Sequence, residues 1–172
     1  MIESSCSKLE TFMRFVIPGE PIPKARARTY PVVDKNKKVV YKRDGKPFVK
    51  TKTPERTKAY ETYVAACARR AAYQRGLVRP ISGPIVLGCQ FYLSPTKKIL
   101  ERSSYKEDAI LVADKPDLSN LYKSVEDAAE GILWQNDSLI VDYFSIDGKI
   151  GSKFYSSNPR VIIEIRCLDT AM

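Results

Sequence analysis

The densest run of ionisable side chains set among apolar ones is KPDLSNLYKSVEDAAEGILWQND, from Lys115 to Asp137. It holds the carboxylates Asp117, Asp127 and Asp137 and the ammonium of Lys123, in a chain that contains no histidine. That absence excludes Ser-His-Asp and Cys-His catalysis, histidine-dependent zinc sites and nucleases that use a histidine base. Hard cations such as Mg²⁺ take oxygen ligands and bind through one or two carboxylates, water and substrate phosphate. Two such ions ~3.5–4 Å apart can activate an attacking water and stabilise the leaving oxygen of a phosphodiester. Lys123 suits the negative charge that builds on phosphate in the transition state. The same residues also have plainer uses: Asp117 can cap a helix, Asp127 can pair with Lys123 at i, i+4, and Asp137 can sit in a solvated turn.

The elements that must position these groups can be read from spacing. Ser119 to Gly131 predicts a helix, with serine at its start, Leu121, Val125, Ala128 and Ala129 on one face and glycine at its end. The connection after it would let Asp137 fold back beside Asp117. A longer helix is predicted from Pro54 to Gln74, with Tyr60, Tyr63, Val64, Cys67 and Ala71 along its buried stripe. Strands are expected at Met13 to Pro18, Gly83 to Ser94, Ser138 to Lys149 and Arg160 to Cys167, the second of them central. A weak helical turn is expected at Lys97 to Arg102. The fold class is therefore α/β (α+β): one domain with a small mixed sheet packed against two main helices, a basic N-terminal loop and a hairpin. At 172 residues one domain buries about 70% of its unfolded surface and needs no staple. Residues 1–12 read as a flexible segment and 13–172 as the domain.

Cys6, Cys67, Cys89 and Cys167 form no CxxC pair and read as reduced thiols. The first residues lack the apolar core of a signal peptide, and no apolar run approaches the ~18 residues of a membrane span, so a cytoplasmic protein with no membrane partner is expected.

The net charge of +9 is unevenly placed. Residues 1–100 carry 21 Lys and Arg against 7 Asp and Glu, while residues 101–172 carry 8 against 13. A basic front for a polyanion and an acidic back for cations would account for this split. Lys24, Arg26 and Arg28 alternate with alanines in a proline-rich, extended stretch, so all three cations fall on one side. Lys38 to Lys50 places Asp44-Gly45 between two β-prone runs, a hairpin signal that makes a basic ribbon with Lys42, Arg43 and Lys46. Tyr30, Tyr41, Phe48 and Trp134 are aromatics that could stack on exposed bases.

The order IPGEPIPKARAR (Ile17 to Arg28), KPDLSNLYKSVEDAAEG (Lys115 to Gly131), then Asn-Asp before a strand resembles the RusA-type Holliday-junction resolvases of bacteria and their phages. The resemblance runs from about Met13 to Cys167. It implies a dimeric, Mg²⁺-dependent α/β nuclease, with Mn²⁺ as a possible substitute, that cuts four-way junction DNA by paired symmetric nicks. It further implies that Asp117 and Asp137 are catalytic metal ligands with Lys123 as the catalytic lysine. Asp127 is implied as the helix aspartate of the metal site, and Asn120 as a supporting residue. Two positions depart: Ser119 stands where the family has a second metal-binding aspartate, and Asn136 replaces the first acid of an Asp-Asp pair. Ser119 is open to three accounts: an inactivating change, a variant whose shell Asp127 or water completes, or a plain N-cap.

Overall fold

The computed structural model describes residues 10–168. Among these residues seven strands and three α-helices follow one another as β1 (Thr11–Pro18), β2 (Arg28–Pro31), β3 (Val49–Lys52), α1 (Glu55–Arg75), β4 (Ile85–Leu93), α2 (Lys97–Leu100), α3 (Leu118–Ala129), β5 (Ile140–Tyr143), β6 (Lys153–Tyr155) and β7 (Arg160–Cys167). The main sheet runs β1-β7-β4-β5, with β6 also on β4. It is mixed: β7 is antiparallel to β1 and β4, while β5 and β6 are parallel to β4. Single-domain α+β architecture thus matches the sequence reading. The expected flexible segment loses Thr11 and Phe12 to β1, and its first nine residues lie outside the described part, as does Cys6.

Strand β4 is central, and all nine of its residues are buried. Ile85, Leu87, Cys89, Phe91 and Leu93 join the core under the helices, with Tyr60, Val64 and Ala68 of α1 and Leu121 and Val125 of α3. The stripe of α1 is narrower than its spacing suggested, since Tyr63 remains 44% exposed. Gly76 ends this helix in the left-handed region (φ 73°), its N–H reaching the carbonyls of Ala72 and Tyr73.

The other face of β4 explains why Ser138 to Lys149 is not one strand. Only Ile140–Tyr143 pairs; Asp137–Leu139 and Ile146–Gly148 are single 3₁₀ turns. After Tyr143 the chain crosses over Gly88, which has no side chain to obstruct it. A Cβ there would lie 2.8 Å from both Ile146 Cγ1 and Phe144 Cζ. Gln90 fastens the crossing by donating to the Ile146 carbonyl at 2.9 Å. Strand β6 was not anticipated from sequence; its three residues are recruited by pairing with Phe91 to Leu93.

The basic hairpin stands apart as a second sheet of β2 and β3, every residue of both strands exposed. The Asp44-Gly45 turn forms as expected, with Lys42 N–H on the Lys46 carbonyl at 2.8 Å. The two runs on either side of it pair as expected, through the Tyr41–Pro47 bridge and Phe48 N–H on the Val40 carbonyl at 2.8 Å, while the longest pairing joins Arg28–Pro31 to Val49–Lys52 and an unforeseen turn at Asp34–Lys38 folds the middle of the ribbon back. No helix among the described residues is long and apolar enough to cross a membrane.

Gly88→Ala should destabilise the protein by about 1–3 kcal/mol through overpacking. Urea unfolding measures this, and an unchanged midpoint would show that the Phe144–Ile146 crossing yields without cost.

Candidate active site

Helix α3 supplies most of the site. Its hydrophobic face, Leu121, Val125, Ala128 and Ala129, is buried against the sheet and α1, which fixes the direction of the polar residues between them. Asp117 occupies the N-cap position, but its carboxylate makes no capping bond; its side-chain partner is the Asn120 amide, at 3.4 Å. Ser119 is therefore not the N-cap. It lies inside the helix and is exposed. The loop entering the helix is tied down by Lys153, whose Nζ donates to the carbonyls of Asp114 and Pro116, each at 2.8 Å.

Lys123 is the centre of the charged network. Its Nζ lies 2.8 Å from Asp137 Oδ2, 3.0 Å from Asp127 Oδ1 and 4.0 Å from Glu126 Oε2. The hydrogen bonds it donates to Asp137 first, then Asp127, push this ammonium above the usual lysine range, so it stays charged at any physiological pH. Asp137 is delivered by the 3₁₀ turn after α3, where the Asn136 side chain accepts from Ser138 N–H at 2.9 Å. The fold thus brings Asp137 to Lys123. Asp117 and Asp137, expected side by side, have different partners, Asn120 and Lys123.

Lys24 differs from its expected companions. It turns inward, donating to Glu61 of α1 and lying 2.8 Å from Asp127 Oδ2, while its backbone N–H meets the Asn120 carbonyl at 2.8 Å. Arg26 and Arg28 remain exposed, as do Lys42, Arg43 and Lys46 on the ribbon. Burial tends to raise the Asp127 carboxyl, but the bonds from Lys24 and Lys123 outweigh it and hold the group below the ordinary aspartate value. Trp134 is fully buried and so is a core residue, whereas Tyr30, Tyr41 and Phe48 are 45–63% exposed.

Sequence reasoning missed Glu61 and Glu126. Glu61 carries no local signal, because only tertiary packing sets α1 beside Lys24. Glu126 did carry one: it follows Lys123 by three positions and Ser119 by seven, the spacing of one helix face. All three line a cavity of about 520 Å³ with Leu118, Tyr122 and Tyr143. Tyr143 donates to Glu126 Oε1 at 2.7 Å, and burial, then this bond, raises the tyrosine hydroxyl well above its usual range.

Among the described residues no three His, Cys, Asp or Glu side chains form a ready-made metal cage. The donor chemistry nevertheless fits a hard cation bound partly through water and phosphate. Asp117 and Asp137 each keep one oxygen without a donor among the described residues. Within that part of the chain the four carboxylates of Glu61, Glu126, Asp127 and Asp137 face only the ammoniums of Lys24 and Lys123, an excess of two negative charges.

An α+β domain whose motif helix presents aspartates and a charged lysine beside a basic arm has the composition of a metal-assisted nucleic-acid hydrolase. The model of the endodeoxyribonuclease RusA family matches residues 18–166, and the chain belongs to that family. It is also similar to the uncharacterized protein YqaN of Bacillus subtilis (strain 168), 30% identical over 161 residues that cover 90% of this chain and 95% of that one.

Because Asp127 is held low in the folded state, its contribution to stability is present above the ordinary aspartate value and is lost as pH falls through its lowered folded value. Carboxyl ¹³C titration should place its midpoint below 3.8 in the wild type and move it upward in Lys24→Met. A wild-type midpoint above 3.8 would contradict the paired geometry.

Proposed function

We propose that this protein is a divalent-cation-dependent endodeoxyribonuclease that resolves four-way DNA junctions by paired symmetric nicks, as a cytoplasmic homodimer serving recombination and repair. The observation that carries the reading is the Lys123 ammonium, held by Asp137 and Asp127 at 2.8 and 3.0 Å in a chain of the RusA family. Asp117 and Asp137 would hold the ion, Mg²⁺ or in its place Mn²⁺. When bound it supplies Lewis-acid polarisation of the phosphate and a more acidic water. Lys123 presents a permanent positive charge to a phosphate oxygen on which negative charge develops. Asp127 is a positioning residue: it holds Lys123 on one oxygen and Lys24 on the other. Asn120 orients Asp117 in the same way.

Recognition of a branched shape rests on phosphate contacts rather than base edges. Arg26, Arg28 and the ribbon residues Lys42, Arg43 and Lys46 are exposed cations suited to that grip. Residues 28–52 alone carry nine Lys and Arg against two Asp. A two-fold substrate with two strands to cut favours a two-fold dimer.

Ser119 favours a second reading, a junction-binding protein that does not cut, because a neutral hydroxyl stands where the family pattern has a charged ligand. One assay separates the two. A labelled four-way junction should be nicked with Mg²⁺ and left whole in EDTA, and Asp117→Asn, Asp137→Asn and Lys123→Met should each lose at least about 100-fold in rate. Undiminished cutting in the aspartate variants would remove those residues from the mechanism, and tight binding without nicking in Mg²⁺ or Mn²⁺ would establish the second reading. In a separate titration, Arg43→Ala with Lys46→Ala should weaken junction and duplex binding alike and flatten the log–log salt slope by about 1–2. An unchanged slope would place the ribbon off the DNA.

A further inference from the structure

The ribbon of residues 28–52 is apolar as well as basic. Tyr30, Tyr41 and Phe48 leave 49, 63 and 45% of their surfaces in solvent, and Val33, Val40 and Val49 leave 39–49%. Among the described residues none of the three rings packs on another ring. The shape of the ribbon is set by its backbone, in a closed triangle of hydrogen bonds. Val32 N–H donates to the Phe48 carbonyl at 2.7 Å, Phe48 N–H to that of Val40 at 2.8 Å, and Val40 N–H to that of Val32 at 2.9 Å. A contiguous apolar surface left in solvent by a fixed backbone marks a place of contact.

Charge says what that contact is. Both acids of the ribbon are used in its turns: Asp34 Oδ1 accepts from the N–H groups of Asn36 and Lys38 at 2.8 and 2.9 Å, and Asp44 Oδ1 from that of Lys46 at 3.1 Å. Of its nine Lys and Arg, only Lys52 has an acidic partner among the described residues, Glu55 at 3.0 Å. The remaining cations complement an outside polyanion. Rings and cations are also interleaved. Tyr30 stands directly across from Lys50, Phe48 is two residues before Lys50 and so shares its face, and Lys42 Nζ lies 5.8 Å from the centre of the Phe48 ring. Such a surface fits a nucleic acid whose bases are not all stacked on one another, because rings take base faces while cations take phosphates. A closed duplex offers the cations their phosphates but gives the rings nothing.

Both ends of the ribbon are fastened beside the charged network. Lys24, four residues before Arg28, is paired with Glu61 and Asp127, and α1, which carries Glu61, begins three residues after Lys52. Four residues span at most about 14 Å, so the base of the ribbon is tethered close to the aspartate that holds Lys123.

We propose that the ribbon is a base-stacking element: Tyr30, Tyr41 and Phe48 stack on bases unstacked at the branch point of the junction, while the cations among them hold the flanking phosphates. Its tether to Lys24 sets how far from the branch the strand meets Lys123. The assignment rests on the four-way-junction reading above and adds the feature by which a junction is told from a duplex.

The first test uses the wild-type chain and four-way junctions carrying 5-iodouracil either at the branch point or in the middle of an arm, irradiated in EDTA so that nothing is cut. Peptide mapping should find the branch label joined to Tyr30, Tyr41 or Phe48, and the arm label joined to them at least about 10-fold less. Crosslinks only outside residues 28–52, or equal yields from the two labels, would overturn the proposal. The second test compares affinities for the junction and for a duplex of one arm. Tyr41→Ala with Phe48→Ala should weaken junction binding about 10-fold or more and duplex binding less than about 3-fold, with the salt slope unchanged. Tyr41→Phe with Phe48→Tyr keeps both rings and should bind the junction as wild type does. Equal losses on junction and duplex, no loss at all, or weakened binding in the ring-exchange variant would overturn it. So would a dimer in sedimentation that the alanine pair abolishes, since the patch would then belong to a second copy of the chain. If the alanine pair fails to fold, the crosslinks on wild type decide. A wild type that binds junction no better than duplex would bring down the junction reading itself, whereas normal junction preference that survives in the alanine pair would bring down only this assignment.

Discussion

The pairing of Lys123 with Asp137 and Asp127 is the interaction on which the site depends. An ammonium with two carboxylates within 3.0 Å is locked in its charged form and in one position. It also helps to join three parts of the chain. Asp127 is one turn along the same helix, Asp137 arrives on the turn after it, and Lys24 reaches Asp127 from the proline-rich segment more than a hundred residues earlier. Networks of this kind gain from mutual support, and each leaves an uncompensated charge when one member is removed. Because the pairs are partly exposed, their value lies in holding geometry more than in stabilising the fold.

That geometry is transmitted from the sheet. Strand β4 is buried on both faces, so the helices above it and the Phe144–Ile146 crossing beneath it are set against one rigid reference. Tyr122 of α3 joins the two layers: its ring packs edge-on to Phe91 of β4 and to Tyr143 of β5. Tyr143 in turn holds Glu126. The cavity beside Lys123 is thus walled by the same contacts that fasten α3 to the sheet, and a change in either would be felt in the other.

The division of charge seen along the chain becomes a division in space. The acidic excess gathers at α3 and the turn after it, while nine of the 29 Lys and Arg stand on a ribbon that buries none of its own strand residues. Such a ribbon gains little from hydrophobic burial and is held by its own backbone bonds and turns. Its residues are free to meet a polyanion. Lys24 shows the limit of reading charge from pattern: it belongs to the same basic motif as Arg26 and Arg28, yet it is spent inside the molecule on Glu61 and Asp127.

Local order was legible in the sequence wherever a strong short-range signal existed. Both long helices, the central strand, the Asp44-Gly45 turn and the i, i+4 pairing of Lys123 with Asp127 follow from periodicity, turn chemistry and helix geometry, and the family could be recognised from Asp117, Asn120, Lys123 and Asp137. Ser119 showed where local reading fails, since capping chemistry suited a helix start that the fold moved to Asp117. What only tertiary structure decided depends on residues far apart in the chain. The strand after Asp137 stops at Tyr143 because Gly88 leaves space for the chain to cross. Glu61 reaches Lys24 because α1 packs on α3, and Tyr143 holds Glu126 because β5 pairs with β4. A sequence can state the spacing of groups on one helix, but the partners of those groups are set by the packing that brings separate elements together.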